Sequence, residues 1–125
     1  MKDQVRILVL EDHVEVAQGI AEILGLFGYE VTLVHDGSTA VKVYNSQEID
    51  VGLFDVMMPG MNGVEAFLEI RKSHPNANII MMSGYADDGL IECALNNGAQ
   101  GLLAKPFGPE GMLAKVKAVV AGTPV

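Results

Sequence analysis

The chain has no tryptophan, one cysteine, and half as many basic as acidic residues, 8 against 16. The single Cys93 cannot form an internal disulfide, which agrees with a reducing compartment. In its helical stretch it reads as a buried, inert thiol. The basic residues Lys2, Arg6, Lys42, Arg71, Lys72, Lys105, Lys115 and Lys117 are scattered and form no stripe. That excludes direct nucleic acid binding and adhesion to a membrane surface. No apolar run approaches bilayer-spanning length, and the N-terminus lacks the segments of a signal peptide. A cytoplasmic location is expected. Neither G-x-x-x-x-G-K-[ST] nor G-x-G-x-x-G occurs, which argues against nucleotide or dinucleotide binding. His35 and His74 are isolated, without the paired spacing of a zinc site. Met57, Met58, Met61, Met81 and Met82 read as core and loop packing rather than as soft-metal ligands.

What is present is an alternating pattern. Half of the 125 residues are hydrophobic, enough for a single domain over 1–125 with its own core. Strands are expected at 6–10, 30–35, 50–54, 78–82 and 101–104. Helices are expected at about 14–27, 39–45, 64–73, 88–97 and 109–120. Gly28 and Gly98 act as stops, Asp36-Gly37-Ser38 as turn and cap, and His74-Pro75 as a break. Five strand–helix units give an α/β domain with a parallel sheet and helices on both faces. The strand order cannot be read from periodicity.

Four near-continuous apolar runs end in polar residues. Leu10 runs into Glu11-Asp12, Phe54 into Asp55, Met82 into Ser83-Gly84, and Ala104 into Lys105-Pro106. Such runs read as strands buried on both faces, and in parallel sheets the ligand sits beyond the carboxyl ends of the strands. Three carboxylates, a hydroxyl and an ammonium should therefore meet on one sheet edge. Two unit charges ~4 Å apart repel by roughly 4 kcal/mol at an effective dielectric near 20. The acid cluster thus calls for a cation, and oxygen ligands with few carboxylates suit Mg2+. A carboxylate can also attack phosphorus, and Mg2+, Lys105 and the Ser83 hydroxyl could then neutralise a group carrying about −2 charge. Gly84 leaves room for such a group near backbone N–H donors. His13 could be a ligand, but reads better as the start of the first helix, facing solvent.

The segment Leu53-Phe54-Asp55-Val56-Met57-Met58-Pro59-Gly60-Met61-Asn62-Gly63 resembles the phosphoacceptor motif of response regulator receiver domains. Leu10-Glu11-Asp12, Met82-Ser83-Gly84 and Leu103-Ala104-Lys105-Pro106-Phe107 resemble the family's other three motifs, in order. The resemblance implies a flavodoxin-like, doubly wound sheet of order 2-1-3-4-5. It implies that Asp55 accepts a phosphoryl group from the phosphohistidine of a sensor histidine kinase or a phosphotransfer protein. Asp12, Asp55 and the backbone carbonyl of Met57 would hold Mg2+, with Glu11 acting through water. Ser83 and Lys105 would bind the phosphoryl oxygens, and the Lys105–Pro106 bond would be cis. Such a protein catalyses only its own phosphorylation and dephosphorylation. It signals to a downstream effector protein or to an output domain outside this chain, through the fourth helix, fifth strand and last helix. A stand-alone receiver and a piece of a longer regulator are both compatible with the chain ends.

The sequence departs from the commonest family pattern at Glu11, at Ser83 and at Leu102, which stands where an aromatic switch residue is usual. A leucine there is expected to stay largely buried, with signalling carried by a modest shift of the loop after Ser83 and of the helix over 88–97. Met57 and Tyr85 can flank the path of an attacking water and slow loss of the phosphoryl group. Three other functions are disfavoured. A haloacid-dehalogenase-like phosphatase needs an Asp where Met57 stands. A degenerate receiver would not keep Glu11, Asp12, Asp55, Ser83 and Lys105. A flavodoxin-like carrier would follow its first strand with a hydroxyl-rich loop instead of two acids.

Overall fold

The computed structural model describes residues 4–84 and 88–122. Its elements alternate without exception: β1 (Arg6–Leu10), α1 (Val14–Leu26), β2 (Glu30–Val34), α2 (Gly37–Ser46), β3 (Val51–Asp55), α3 (Gly63–Ser73), β4 (Ile79–Ser83), α4 (Asp88–Asn96), β5 (Gly101–Ala104) and α5 (Pro109–Val120). The strands form one parallel sheet of order β2-β1-β3-β4-β5. The expected flavodoxin-like order 2-1-3-4-5 is what the chain adopts. Most element ends agree with the sequence reading to a residue or two. The informative difference is that Asp55 and Ser83 are the last residues of β3 and β4, not the first residues beyond them.

Successive strand side chains point to opposite faces, so each apolar run feeds two cores. Leu8, Leu10, Phe54, Ile79 and Met81 pack with Ala40, Tyr44, Phe67, Ile70 and Ala94 of α2, α3 and α4. Ile7, Val9, Val51, Leu53, Ile80, Met82 and Leu103 pack with Ile20, Leu24, Met112 and Val116 of α1 and α5. This is why the sequence shows continuous apolar runs rather than alternation.

Local signals set the helix starts. Asp36 Oδ1 accepts the Thr39 N–H at 2.8 Å. Asn62 Oδ1 accepts the Glu65 N–H at 2.9 Å while Glu65 Oε1 accepts the Asn62 N–H at 3.0 Å, a reciprocal capping box. Gly28 and Gly98 follow α1 and α4 with φ of 89° and 96°, the left-handed backbone expected of the two stops. Cys93 is only partly buried, which corrects the expected buried thiol, because it lies on the flank of α4 rather than on its inward face. Among the methionines, Met81 and Met82 are core and Met58 and Met61 pack against it, but Met57 is exposed at 51%.

Arg71, one of the scattered basic residues, has a structural task. Its guanidinium donates to the carbonyls of Pro75 at 2.5 Å, Ala77 at 2.9 Å and Gly98 at 2.8 Å. It also lies 5.2 Å from the centroid of the Phe67 ring. One side chain thereby ties the end of α3, the turn into β4 and the end of α4. Hydrogen bonds to charged donors contribute about 1.5–3 kcal/mol each when well buried, less at a part-exposed site such as this. Arg71→Ala should lower unfolding free energy in urea by about 2 kcal/mol, and Arg71→Lys should recover little, since the one nitrogen of an ammonium cannot replace the two guanidinium nitrogens that serve the three carbonyls. Equal urea midpoints for wild type and Arg71→Ala would show that the tie is idle.

Candidate phosphoacceptor site

The carboxyl ends of β1, β3, β4 and β5 form one pocket. Backbone bonds from Glu11 N to Val34 O (3.1 Å), Val56 N to Met82 O (2.9 Å) and Lys105 N to Ser83 O (2.7 Å) extend the ladder to the residues that carry the chemistry. Register pairs Leu10 with Phe54, Asp55 with Met82, and Ser83 with Ala104. Glu11, Asp55 and Ser83 are buried, at 0%, 4% and 6% exposure.

Lys105 Nζ donates to Glu11 Oε1 at 2.5 Å and to Asp55 Oδ2 at 3.0 Å. Asp55 Oδ1 accepts the Met57 N–H at 3.2 Å. Glu11 Oε2 accepts the His13 N–H at 3.1 Å and lies 3.2 Å from His13 Nδ1. Glu11 is thus bonded directly to Lys105. One ammonium bonds two buried carboxylates but balances the charge of only one. Burial would raise the Glu11 carboxyl, but the bonds from Lys105 and His13 outweigh it and bring it down to about 2. Asp55 goes the other way: burial raises it, the Glu11 charge adds to the rise, and Lys105 does not compensate. Lys105 itself is held charged: burial would lower it, and the bonds to Glu11 and Asp55 raise it above its ordinary value.

The pocket is short of positive charge. Asp12 Oδ1 is sealed from solvent and has no hydrogen-bond partner. Unbalanced, oxygen-rich groups with one bare acceptor fit a hard divalent cation such as Mg2+. Asp12, Asp55 and the Met57 carbonyl are the groups the sequence nominated to hold it.

Other nominated residues fall as follows. Gly84 is exposed, and a Cβ there would touch the Lys105 stem at 3.7 Å. The Lys105–Pro106 bond is cis. Leu102 is partly buried against the α2–α3–α4 core, less enclosed than expected. Tyr85 lies outside the described residues. His13 occupies the N-cap position of α1 without a side-chain capping bond; its ring is 73% exposed, as expected, yet turns Nδ1 back toward the acid pair. Two contributors were not foreseen. Gly63 begins α3 so close to β3 that a Cβ would overlap the Asp55 carbonyl oxygen. His35 Nδ1 lies 2.9 Å from the Glu11 carbonyl, bracing the end of β1. The Asn62–Glu65 capping box was the available sign that α3 starts at Gly63.

The response regulator receiver domain profile matches residues 7–117. The chain belongs to the response regulator receiver family. It is 35% identical over 121 residues to response regulator MprA of Mycobacterium ulcerans, covering 95% of this chain and 51% of that protein. It is 34% identical over 105 residues to chemotaxis protein CheY of Thermotoga maritima, covering 83% of this chain and 88% of that protein. Among solved structures, a CheY-like receiver domain protein from Methanospirillum hungatei superposes with a TM-score of 0.92 at 28% identity, covering 96% of each chain. The receiver spans about half the length of the mycobacterial relatives it matches. Membership makes it part of two-component signalling, a phosphoacceptor rather than a conventional enzyme, in a family typically dependent on Mg2+. No helix among the described residues is long and apolar enough to cross a membrane.

The raised Asp55 carboxyl has a stability consequence. Its folded-state proton affinity exceeds that of the unfolded chain, whose value is near 3.8. The group therefore favours folding below that value and loses this contribution as pH rises through the folded-state pKa. Asp55→Asn should melt above wild type at neutral pH in EDTA, and the gap should shrink toward acid pH. Added Mg2+ should stabilise wild type and not the variant. A variant that melts below wild type in neutral EDTA would mean that Lys105 fully compensates Asp55.

Proposed function

We propose that this chain is a phosphorylation-controlled switch in which Asp55 is the phosphoacceptor. The observation that carries the reading is the buried Asp55 bonded to Lys105, whose ammonium is bonded in turn to the buried Glu11. In the reaction, an Asp55 oxygen attacks the phosphorus of a phosphohistidine on a sensor kinase or phosphotransfer protein. The P–O bond forms as the P–N bond breaks, and the electron pair returns to the imidazole nitrogen. Mg2+, held by Asp12, Asp55 and the Met57 carbonyl with Glu11 near it, supplies charge neutralisation when bound. Lys105 Nζ already touches Asp55 and is placed to follow the new phosphoryl oxygens, about −2 in charge. The Ser83 hydroxyl and the space at Gly84 complete the cradle. Met57, half-exposed, and Tyr85 are both proposed to flank the path of an attacking water to Asp55; neither is a strong general base, so the acyl phosphate should hydrolyse slowly.

The functional unit proposed is the whole of 1–125, acting in the cytoplasm, with no direct contact to nucleic acid or membrane. Output runs through α4, β5 and α5, where Leu95 and Val120 are exposed at 45% each and can meet an effector protein or an attached output domain. With Leu102 already partly packed, the response is a shift of the loop after Ser83 and of α4 rather than the turn of an aromatic ring.

Incubation with acetyl phosphate or beryllofluoride should modify wild type only when Mg2+ is present, and Asp55→Asn not at all. Label on the Asp55→Asn protein would sink the assignment.

A protein phosphodonor needs a seat as well as a target. A groove of about 570 Å³ lined by Val16, Ile20, Ile23, Phe107, Pro109 and Met112 opens beside Lys105 and Gly84. Val16 is 45% exposed, so a lysine there is tolerated by the core. Val16→Lys should slow transfer from a phosphorylated kinase or phosphotransfer domain at least about tenfold, the effect of losing about 1.4 kcal/mol of docking, while acetyl phosphate labelling stays at the wild-type rate. Equal slowing with both donors would place the defect in the pocket instead.

A further inference from the structure

We infer that His13 makes the cation pocket a mixed oxygen–nitrogen site, one that holds a borderline first-row ion such as Co2+ or Zn2+ through the imidazole as well as the carboxylates. The inference rests on the cation reading of the pocket proposed above and adds a residue to it. One ligand atom from each of Glu11, Asp12 and His13 lies within 4.8 Å of the other two. Nδ1 is 3.2 Å from the Glu11 oxygen and 3.4 Å from the Asp12 oxygen. That Asp12 oxygen is the one sealed from solvent without a hydrogen-bond partner. The His13 backbone is fixed as the N-cap of α1, and its N–H is held by Glu11. The ring therefore does not reach the acid pair by a chance swing of a free loop.

The ligand chemistry decides the class of ion. Mg2+ prefers oxygen and gains little from an imidazole. Co2+, Ni2+ and Zn2+ bind imidazole well, and affinity for mixed donor sets rises along the first row to Cu2+ before falling at Zn2+. Facing two acceptor-only carboxylate oxygens, Nδ1 carries a proton in the metal-free pocket; binding a cation there moves the neutral ring to the tautomer with its proton on Nε2, which leaves the Nδ1 lone pair for the metal. Asp12 supplies the charge common to both classes of ion, and His13 supplies the preference.

The test uses the full chain and two metal salts. Calorimetric titration with MgCl2 and with CoCl2 compares wild type, His13→Ala, His13→Gln, Asp12→Asn and His74→Gln, each first checked for a wild-type melting profile. Co2+ is also followed by its visible d–d spectrum and by the NMR resonances of the histidine rings. The expected result is that His13→Ala and His13→Gln weaken Co2+ binding tenfold or more while the Mg2+ dissociation constant changes less than twofold. The His13 ring resonances should move far outside the diamagnetic range at substoichiometric Co2+. His74, at the far end of α3, should behave as wild type when replaced. Unchanged Co2+ affinity in the His13 variants, or equal weakening toward both ions, overturns the role given to His13. Wild type that binds neither ion, or Asp12→Asn that binds both as wild type does, overturns the cation pocket itself and the inference with it.

Discussion

Two buried carboxylates, Glu11 and Asp55, share the single ammonium of Lys105, and the organisation of the sheet serves to produce that shortage. The three residues come from the ends of β1, β3 and β5 and are separated by 44 and 50 positions between Glu11, Asp55 and Lys105. The parallel sheet of this order places them within hydrogen-bond reach. Burial makes the shortage matter, because at the surface water would screen it. A pocket left deficient in positive charge costs stability in the resting protein, a pattern common at functional sites. The same deficiency is what gives a divalent cation or a displaced lysine its influence.

The sheet also divides the molecule into two unequal environments. One core joins α1 and α5 and opens as the apolar groove beside Lys105. The other joins α2, α3 and α4 and holds Leu102 at its margin. Lys105 directly follows β5, the strand whose residues Leu102 and Leu103 enter different cores. In the proposed switch, a charge added at Asp55 is therefore sensed by a strand that touches both halves. No long-range wire is needed, because the two cores meet at four residues of backbone.

Much of this was legible because it is local. Apolar runs and glycine stops marked the elements, and the polar endings of four runs marked the pocket. What escaped depends on distance in sequence. Gly63 looks like any turn glycine until α3 is docked on the end of β3, where a side chain would strike the Asp55 carbonyl. Arg71 looks like a solvated charge until the turn at Pro75 and the end of α4 bring three carbonyls around it. The ring of His13 points out of its helix, as its position suggested, but the direction of Nδ1 is set by Glu11 and not by helical periodicity. Strand ends were misplaced by one residue at Asp55 and Ser83 because a polar residue ends an apolar pattern before it ends a hydrogen-bond ladder.

The three carbonyls gathered by Arg71 include that of Gly98, immediately after α4. This helix therefore has one end moored to the body of the protein. A rod moored at one end responds to a push at the other by changing its angle rather than its position. In the proposed switch, displacement that starts near Ser83 would be largest over the first turn of α4 and would fade toward Asn96. A partner seated along α4 would thus read a tilt, graded along its footprint, and the contacts it makes near Asp88 would weigh more in its discrimination than those it makes near Asn96.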